Sequence, residues 1–288
     1  MTATATAPAL TMSQLRLEQR SFWRNRQAAV FSFLLPILFV VLFGALFRGN
    51  NTVGTSQVSY TSYFVAGMIG ISVLSATFNT LAIGITIQRD QLILKRFRGT
   101  PLGPGPLFAA KIISSLIVVV LDVVLILAIG HVFYNIVLPR NPLAFVLMLL
   151  MGSVVFAAGG VAFTAFIPNA DSAPAVVQVP YLVLMFISGV FFPFADEPAF
   201  LRHVADFFPL RWLLDGLRAG YLGFDYVHTT RMRVPNGAPG GTSIEHVPRA
   251  VHGAEAITAL GTAYLVLGIW LVVFLVIAVR RFRWEPRR

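Results

Sequence analysis

The sequence lacks cysteine and has few charged residues. Without cysteine, disulfides, thiol chemistry and cysteine-based metal sites are excluded. Only 12% of the 288 residues are charged, against about 25% in an ordinary soluble domain, whereas 57% are hydrophobic. This balance indicates an integral membrane protein.

Long apolar runs supply the spans that such a protein needs. A bilayer core of about 30 Å requires roughly 20 uncharged residues in a helix. Six such runs predict six transmembrane helices: Ala28 to Phe47, Phe64 to Ile87, Ile112 to Leu138, Leu143 to Ile167, Ala175 to Phe192 and Ala256 to Val279. The first run has full spanning length and no small-residue cleavage site after it, so we expect it to stay as a span.

Basic residues are distributed unevenly between the two sides of these spans. Fourteen of the 22 Lys and Arg precede span one, lie between spans two and three, or follow span six, whereas the short loops of the other side carry only Arg48 and Arg140. The positive-inside rule therefore predicts cytoplasmic termini for this multi-pass protein. Contact with anionic lipid explains the formal charge of +10, so no nucleic-acid partner is expected.

The sequence lacks the common motifs for nucleotide binding, metal binding and nucleophilic catalysis. A P-loop ends in Gly-Lys-Ser/Thr, but Lys95 follows Leu94 and Lys111 follows Ala110. HExxH and GxSxG do not occur, and the five histidines lack zinc-like spacing. We therefore expect no catalytic, cofactor-binding or metal-binding residue here, and the chain is not predicted to be an enzyme.

The N-terminal 27 residues precede the membrane domain. Residues 1–9 are Thr/Ala-rich and predicted to be disordered. From Thr11 onward, apolar residues share a helical face beside a stripe of Arg16, Arg20 and Arg24, which favours an interfacial amphipathic helix. The alternative is an ordinary basic flank that anchors span one.

Polar residues inside the spans are candidates for lining a pathway. Ser72, Ser75 and Asn79 form a seam on span two, and span three carries Asp122, the only acidic residue deep in a membrane run. Intramembrane polar groups face protein or a pathway rather than lipid. The predicted pathway set is Ser72, Ser75, Asn79, Asp122 and Gln178. Helix packing is the open alternative for the seam, and a structural or gating hydrogen bond is the favoured role of Asp122.

The segment 88–107 between spans two and three combines an amphipathic helix with a rigid Gly/Pro turn. Leu92, Ile93 and Phe97 lie among basic residues, and Gly99 to Pro101 stop the helix. A charged helix that projects from a membrane is either a docking element or a solvated face. The sequence alone leaves both open.

After Pro193 the chain forms short half-apolar pieces instead of a soluble loop. Irregular backbone near membrane depth is tolerated where protein or water satisfies its polar groups, so segment 193–224 is predicted to line or plug a pathway. Its candidate outer-gate residues are Phe191, Pro193, Phe194, Phe208, Pro209, Asp215 and Arg218. A Gly/Pro-rich external loop at 225–254 and a basic cytoplasmic tail at 281–288 complete one membrane domain, 28–280.

These parts together resemble the transmembrane subunit of type-2 ATP-binding-cassette (ABC) transporters, in particular bacterial drug and lipid exporter permeases similar to the daunorubicin exporter. The most specific stretches are LKRFRGTPLG at 94–103, SGVFFPF at 188–194, FFPL at 207–210 and LLDGLR at 213–218. The sequence departs from the family pattern at Gln88, where Glu is frequent, and at Leu92 and Ile93, where Gly-Thr is frequent.

The resemblance implies an all-α membrane protein: six transmembrane helices, an N-terminal interfacial helix, a cytoplasmic coupling helix and re-entrant helices before the last span. It implies ATPase coupling through Arg89, Asp90, Leu94, Lys95, Arg96 and Phe97. It further implies a second permease subunit, two ABC ATPase subunits that carry ATP and Mg, and a bacterial plasma-membrane location.

The substrate expected from the resemblance is a hydrophobic or amphipathic drug, lipid or glycolipid that leaves the cytoplasm or inner leaflet. The 25 Phe residues suit an aromatic pathway, but a lipid-facing surface is the favoured explanation for them. A secondary transporter or channel remains the alternative function, followed by a membrane-embedded enzyme. A secondary transporter would show inverted repeats and paired midplane ionisable groups, for which Asp122 alone gives little support.

Overall fold

The computed structural model describes residues 7–46, 59–98, 103–191, 199–235, 242–282 and 284. They are predominantly helical. The helices are α1 Ala7–Arg24, α2 Arg26–Leu46, α3 Tyr60–Leu74, α4 Thr80–Asp90, α5 Ile93–Arg98, α6 Pro104–Tyr134, α7 Pro142–Phe163, α8 Ala173–Ile187, α9 Ala199–Phe207, α10 Pro209–Leu222, α11 Ala254–Ala259 and α12 Gly261–Arg281. The strands are β1 Phe224–Pro235 and β2 Thr242–Ala250.

Four continuous helical stretches within the described part of the chain are long and apolar enough to cross a membrane. They are Tyr60–Asp90, Pro104–Tyr134, Pro142–Phe163 and Gly261–Arg281. The apolar stretches Ser32–Leu46 and Ala173–Ile187, where spans one and five are predicted, are shorter. The helical membrane architecture is confirmed, and the count of six crossings stays a prediction.

Helix ends follow local sequence signals. Proline occupies the first turn of α6, α7, α8 and α10, where its fixed φ fits and its missing N–H is not needed. Asn135 after α6 (φ 50°) and Gly223 after α10 (φ 76°) adopt the left-handed conformation that closes a helix. These caps separate α6 from α7 and α10 from the strands.

A π-helical segment, Ser75–Asn79, joins α3 to α4 within the second predicted span. The Thr80 hydroxyl donates a 3.0 Å hydrogen bond to the Ser75 carbonyl, five residues back. A π segment inserts a residue into the helix and rotates the side chains that follow it, and such insertions are frequent at functional sites. Here the inserted turn lies within the predicted polar seam.

Helix α10 lies in the centre of the bundle, packed on α3, α7 and α12. Every residue from Leu213 to Leu222 is buried. Close approach depends on glycine: a Cβ at Gly220 would lie 2.6 Å from the Phe145 backbone on α7. Helices α9 and α10 occupy segment 193–224, and their re-entrant path through a membrane stays a prediction.

Strands β1 and β2 pair antiparallel, so the chain is not all-α as predicted. Residues 226–234, YVHTTRMRV, are rich in β-branched and aromatic types, and Asn236-Gly237 is a hairpin turn signal. The prediction of an external loop at 225–254 rested on its Gly/Pro content and named no strands in it. The external position of this segment stays a prediction.

Helix α1 packs along the N-terminal half of α6. The Lys111 ammonium contacts the Glu18 carboxylate at 2.7 Å, and the Gln19 amide donates to the Ser114 carbonyl and hydroxyl at 3.1 and 2.9 Å. The helix begins at Ala7, inside the stretch predicted to be disordered. Polar contacts with α6 therefore fix the position of this helix.

Candidate functional site

The turn between α4 and α5 is clamped to the loop that follows α7. Arg89, only 2% exposed, donates through Nη1 to the Thr164 carbonyl at 3.1 Å. Its Nη2 donates to the carbonyls of Ile167 and Pro168 at 2.9 and 3.2 Å. One buried guanidinium thus satisfies three carbonyls beyond the end of α7.

Asp90 makes the complementary contact to the same loop. Its Oδ2 accepts a hydrogen bond from the backbone N–H of Ala170, and its Oδ1 lies 3.4 Å from Arg89 Nε. Within the loop, the Asn169 side chain accepts a 2.9 Å hydrogen bond from the Ser172 N–H at the start of α8. Two adjacent residues therefore attach the end of α4 to the α7–α8 connection.

Helix α5 is held by burial of one face. Leu94 is fully buried against Leu81, Ile85, Leu107 and Val161, and Phe97 packs on the same cluster. Lys95 and Arg96 are exposed on the other face. The short helix thus presents two cations while its apolar side anchors it to α4, α6 and α7.

Leu92 lies at the tip of this turn in an unfavourable conformation. It has φ 59°, in the left-handed region, and its side chain is 43% exposed. The left-handed conformation is unfavourable in free energy for leucine, so contacts of the surrounding residues must hold the backbone in it. An exposed, strained leucine beside two exposed cations gives the turn an amphipathic outer surface. We call Leu92, Lys95 and Arg96 the turn surface.

We call Arg89 and Asp90, together with the α7–α8 loop that they bind, the clamp. The clamp connects the turn surface to the spans. Of the six residues predicted to couple to an ATPase, Lys95 and Arg96 face outward. Arg89 and Leu94 point into the chain, Asp90 binds the α7–α8 loop and Phe97 is half-buried. The arrangement can transmit a displacement of the turn to α4, α7 and α8, because buried hydrogen bonds join them.

The predicted pathway residues lie at different depths. Ser72 on α3 and Asp122 on α6 are buried side by side, with the Ser72 hydroxyl facing the Asp122 carboxyl group. Ser75 lies next to Tyr181 on α8. Asn79 is half-buried and Gln178 is exposed on α8. The structure brings together Ser72 with Asp122 but places Gln178 on an outer face.

A buried charged network occupies the predicted outer-gate segment. Arg218 is 1% exposed and stands 3.9 Å from the Tyr63 ring centroid on α3. Its Nη1 lies 3.5 Å from Asp215 Oδ1, its Nη2 donates to the Gly189 carbonyl after α8, and its Nε has no partner. Asp215 also contacts Arg211 at 3.4 Å. The network joins α10 to α3 and to the end of α8.

The other predicted gate residues flank this network. Pro209 is buried at the start of α10, Phe208 is half-buried before it, and Phe191 packs against Phe43 and Phe64. Pro193 and Phe194 lie outside the described residues. No group of three His, Asp or Glu side chains that could hold a metal occurs in the part of the chain that the structure describes.

Sequence reasoning missed three partners in these sites. They are the α7–α8 loop bound by Arg89, Tyr63 beneath Arg218, and Glu18 beside Lys111. Each partner is far from its cation in sequence or belongs to a common residue type. A basic residue inside an apolar stretch is the one local signal, since such a cation needs a partner.

Several known proteins and one protein family are similar to this chain. A family model described as ABC-2 type transporter matches residues 10–222. A Bacillus subtilis (strain 168) protein named as a transport permease, YvfS, is 24% identical over 196 residues, covering 67% of this chain and 77% of its own. Nodulation protein J of Rhizobium leguminosarum bv. viciae is 26% identical over 228 residues, covering 76% and 86%. A transport permease of Porphyra purpurea, ycf38, is 25% identical over 223 residues, covering 74% and 75%.

Proposed function

Because the chain belongs to the ABC-2 type transporter family, we propose that it is the permease subunit of an ATP-driven exporter. The membership confirms the resemblance seen in the sequence and makes the chain a multi-pass transport permease. The proposal adds direction and energy source: a second permease completes the pathway, and two separate ABC ATPases bind ATP and Mg. It also places the protein in a bacterial plasma membrane with both termini cytoplasmic.

The observation that carries the proposal is the clamp beneath the turn surface. An ATPase that closes on ATP must push on an element rigidly joined to the spans, because coupling requires both sites to bias the same two-state element. Leu92, Lys95 and Arg96 supply an amphipathic contact surface, and Arg89 and Asp90 attach it to the α7–α8 loop. We assign binding to the turn surface and transmission to the clamp.

We assign the pathway and its outer gate to the two other groups of buried polar residues. Ser72 and Asp122 are buried side by side on α3 and α6, and polar groups within a membrane span face protein or a pathway rather than lipid. The Asp215–Arg218 network holds α10 against α3 and the end of α8. In this proposal, substrate passes the Ser72–Asp122 pair and leaves when the α10 network releases. The substrate class is hydrophobic or amphipathic.

Co-purification of the tagged chain from native membranes in mild detergent tests the proposal. A P-loop ATPase should copurify with wild type and be lost from K95Q/R96Q. The control R280Q/R281Q removes the same charge from α12 and should retain it. A wild-type chain that repeatedly lacks such a partner, under conditions that preserve known complexes, would support the secondary-transporter alternative.

Substitution of the clamp separates transmission from binding. In R89Q, the loop carbonyls lose their charged donor while the turn surface keeps its side chains. We expect the ATPase to bind R89Q to within a few-fold of wild type, with transport reduced at least tenfold. Equal transport by R89Q and wild type would contradict the transmission role of Arg89.

A further inference from the structure

A cleft with a mixed polar and apolar lining lies between α1, α4 and α6. Its volume is about 240 Å³. Phe22 of α1, Ile85 of α4 and Val118 of α6 supply apolar lining. Hydroxyl, amide and charged side chains also line it, among them Glu18, Ser21, Thr80, Gln88, Lys111 and Ser114. We call it the α1–α6 cleft.

Gly84 keeps part of the α1–α6 cleft open. It lies inside α4 and lines the cleft, and a Cβ placed on it would meet no atom within 4 Å. Glycine is less favourable than alanine inside a helix, and no close packing contact within the described residues requires it here. A side chain at position 84 would extend into the cleft, so glycine leaves this space free for an occupant.

Two polar groups in the cleft have unused hydrogen-bonding capacity. The Lys111 ammonium has three N–H donors and, within the described part of the chain, donates only to Glu18, at 2.7 Å. The buried Gln88 Oε1 atom has no donor among the described residues. Buried polar groups in proteins are hydrogen-bonded. An occupant that completes both groups must accept a hydrogen bond and donate one, as hydroxyl groups do.

The charge of the cleft limits what it binds. Glu18 and Lys111 neutralise each other, and no other charged residue of the described ranges lines the cleft. An anionic group would lie near the Glu18 carboxylate and a cationic group near the Lys111 ammonium, and like charges placed together are unfavourable. The cleft therefore fits an uncharged polar group, and its apolar residues fit an apolar remainder of the same molecule.

The α1–α6 cleft leads to the Ser72–Asp122 pair. Ala76, which lines the cleft, is four residues from Ser72, and Val118, which also lines it, is four residues from Asp122. Four residues are about one helical turn, and α3 packs against α6. The cleft and the pair thus lie along one seam between the same helices. Thr80 in the lining is exposed, so the cleft is accessible from outside the bundle.

We propose that the α1–α6 cleft binds the uncharged, hydroxyl-bearing head of an amphipathic molecule, which is the transported substrate before it reaches the Ser72–Asp122 pair. Hydroxyl groups of the head accept from Lys111 and donate to Gln88, and the apolar part packs on residues such as Phe22. The identification of this molecule as the substrate rests on the proposed exporter function, whereas binding in the cleft does not.

Photo-crosslinking with three matched amphiphiles tests the proposal. The probes share one alkyl chain, with a diazirine next to the head, and carry a glucoside, a phosphate or a trimethylammonium head. The purified full-length chain is reconstituted in nanodiscs and illuminated with each probe, and labelled peptides are mapped by mass spectrometry. We expect the glucoside to label segments 76–88 and 111–118 about fivefold more than either charged probe does, the factor that corresponds to one net hydrogen bond.

Variants assign the labelling to the cleft. G84L should abolish the excess labelling by the glucoside because its side chain fills the cleft, and Q88L should reduce it because the acceptor is lost. The control is G268L on α12, where a Cβ also meets no atom within 4 Å, and it should label as wild type does. Size-exclusion profiles establish that each variant is folded. Equal labelling by the three probes, no labelling of these segments, or excess labelling that survives G84L would overturn the proposal.

Failure of this inference and failure of the exporter proposal give different results. Absent labelling in a chain that still copurifies with a P-loop ATPase would reject the cleft as a substrate site and leave the exporter proposal standing. Labelling of the cleft in a chain that never copurifies with an ATPase would support the binding site and reject its role in ATP-driven transport.

Discussion

Leu92 adopts a backbone conformation that leucine rarely takes. Its φ of 59° lies in the left-handed region, which costs L-residues roughly 1–2 kcal/mol. The family resemblance places glycine at this position, and glycine adopts this conformation without a Cβ clash. Leucine at position 92 therefore lowers local stability relative to glycine. An exposed apolar side chain retained at this cost fits a residue that contacts a partner.

Substitution of Leu92 by glycine tests this strain. In L92G, the hydrogen-exchange protection of the α5 amides should equal that of wild type or exceed it by up to about fivefold. The reason is that the relief of backbone strain outweighs the added conformational entropy of the unfolded chain. The neighbour Q91G, at φ −76°, should lose protection. Loss of protection in L92G equal to that in Q91G would show that the conformation is not strained.

Arg218 is the second residue whose environment is costly. Its guanidinium is buried with one nitrogen unpartnered, and its charge is balanced by Asp215 and by the Tyr63 ring. A buried pair contributes little net stability, but removal of Arg218 leaves the buried Asp215 carboxylate with Arg211 alone among its two ion partners.

Removal of Arg218 alone should therefore cost more than removal of the pair. We expect R218M to destabilise the protein by about 3–5 kcal/mol and D215N/R218M to destabilise it distinctly less. R249Q is the control, because the Arg249–Glu255 pair is exposed and worth at most about 1 kcal/mol. Thermal unfolding in detergent orders the variants; a double variant as unstable as R218M would refute the charge argument.

Among the elements, α1 depends on polar contacts for its position. Lys111 has 3% side-chain exposure and contacts Glu18, which also accepts a hydrogen bond from Gln14. Loss of Glu18 leaves a buried ammonium without its counter-charge. Helix α1 is thus attached to α6 by an ion pair in which each charge neutralises the other.

Proteolysis measures this attachment. E18Q should accelerate tryptic cleavage at the arginines of α1 several-fold. Without the Glu18 carboxylate, the Lys111 ammonium is stable only when it is hydrated, and its hydration separates α1 from α6. E18Q/K111M should restore slow cleavage, and E255Q, at an exposed site, should cleave as wild type does. Rapid cleavage in the double variant would mean that Gln19 and apolar packing, not the ion pair, hold α1.

For the whole molecule, the absence of cysteine makes topology directly measurable. Single cysteines introduced at exposed positions carry no background labelling. The charge distribution predicts that α5 and the end of α12 lie in the cytoplasm and that the hairpin lies outside. An odd number of crossings must then separate α5 from α11.

Membrane-impermeant maleimide applied to intact cells tests this arrangement. We expect E255C to be labelled at once, and T11C, K95C and R281C only after permeabilisation. Each variant labelled in detergent controls for thiol accessibility. Labelling of K95C and E255C from the same side would contradict the six-span prediction.

The sequence predicted the membrane helices because a helix that crosses a bilayer requires a continuous run of apolar residues, which is a local property of the sequence. The runs at Phe64 to Ile87 and Ile112 to Leu138 correspond to continuous helices. The hairpin at 224–250 was missed although its strand and turn signals are local. The clamp was missed for a different reason, since Arg89 and its acceptors are 75 to 79 residues apart and the acceptors are backbone carbonyls.

The sequence by itself determined the membrane character, four of the six predicted spans, the family and the two segments on which function is proposed. Each of these rests on composition or on residues adjacent in the chain. Only the tertiary structure decided that Arg89 holds the α7–α8 loop and that Arg218 lies against Tyr63. The reason is physical: a buried charge is stable only where parts of the chain distant in sequence supply its partners.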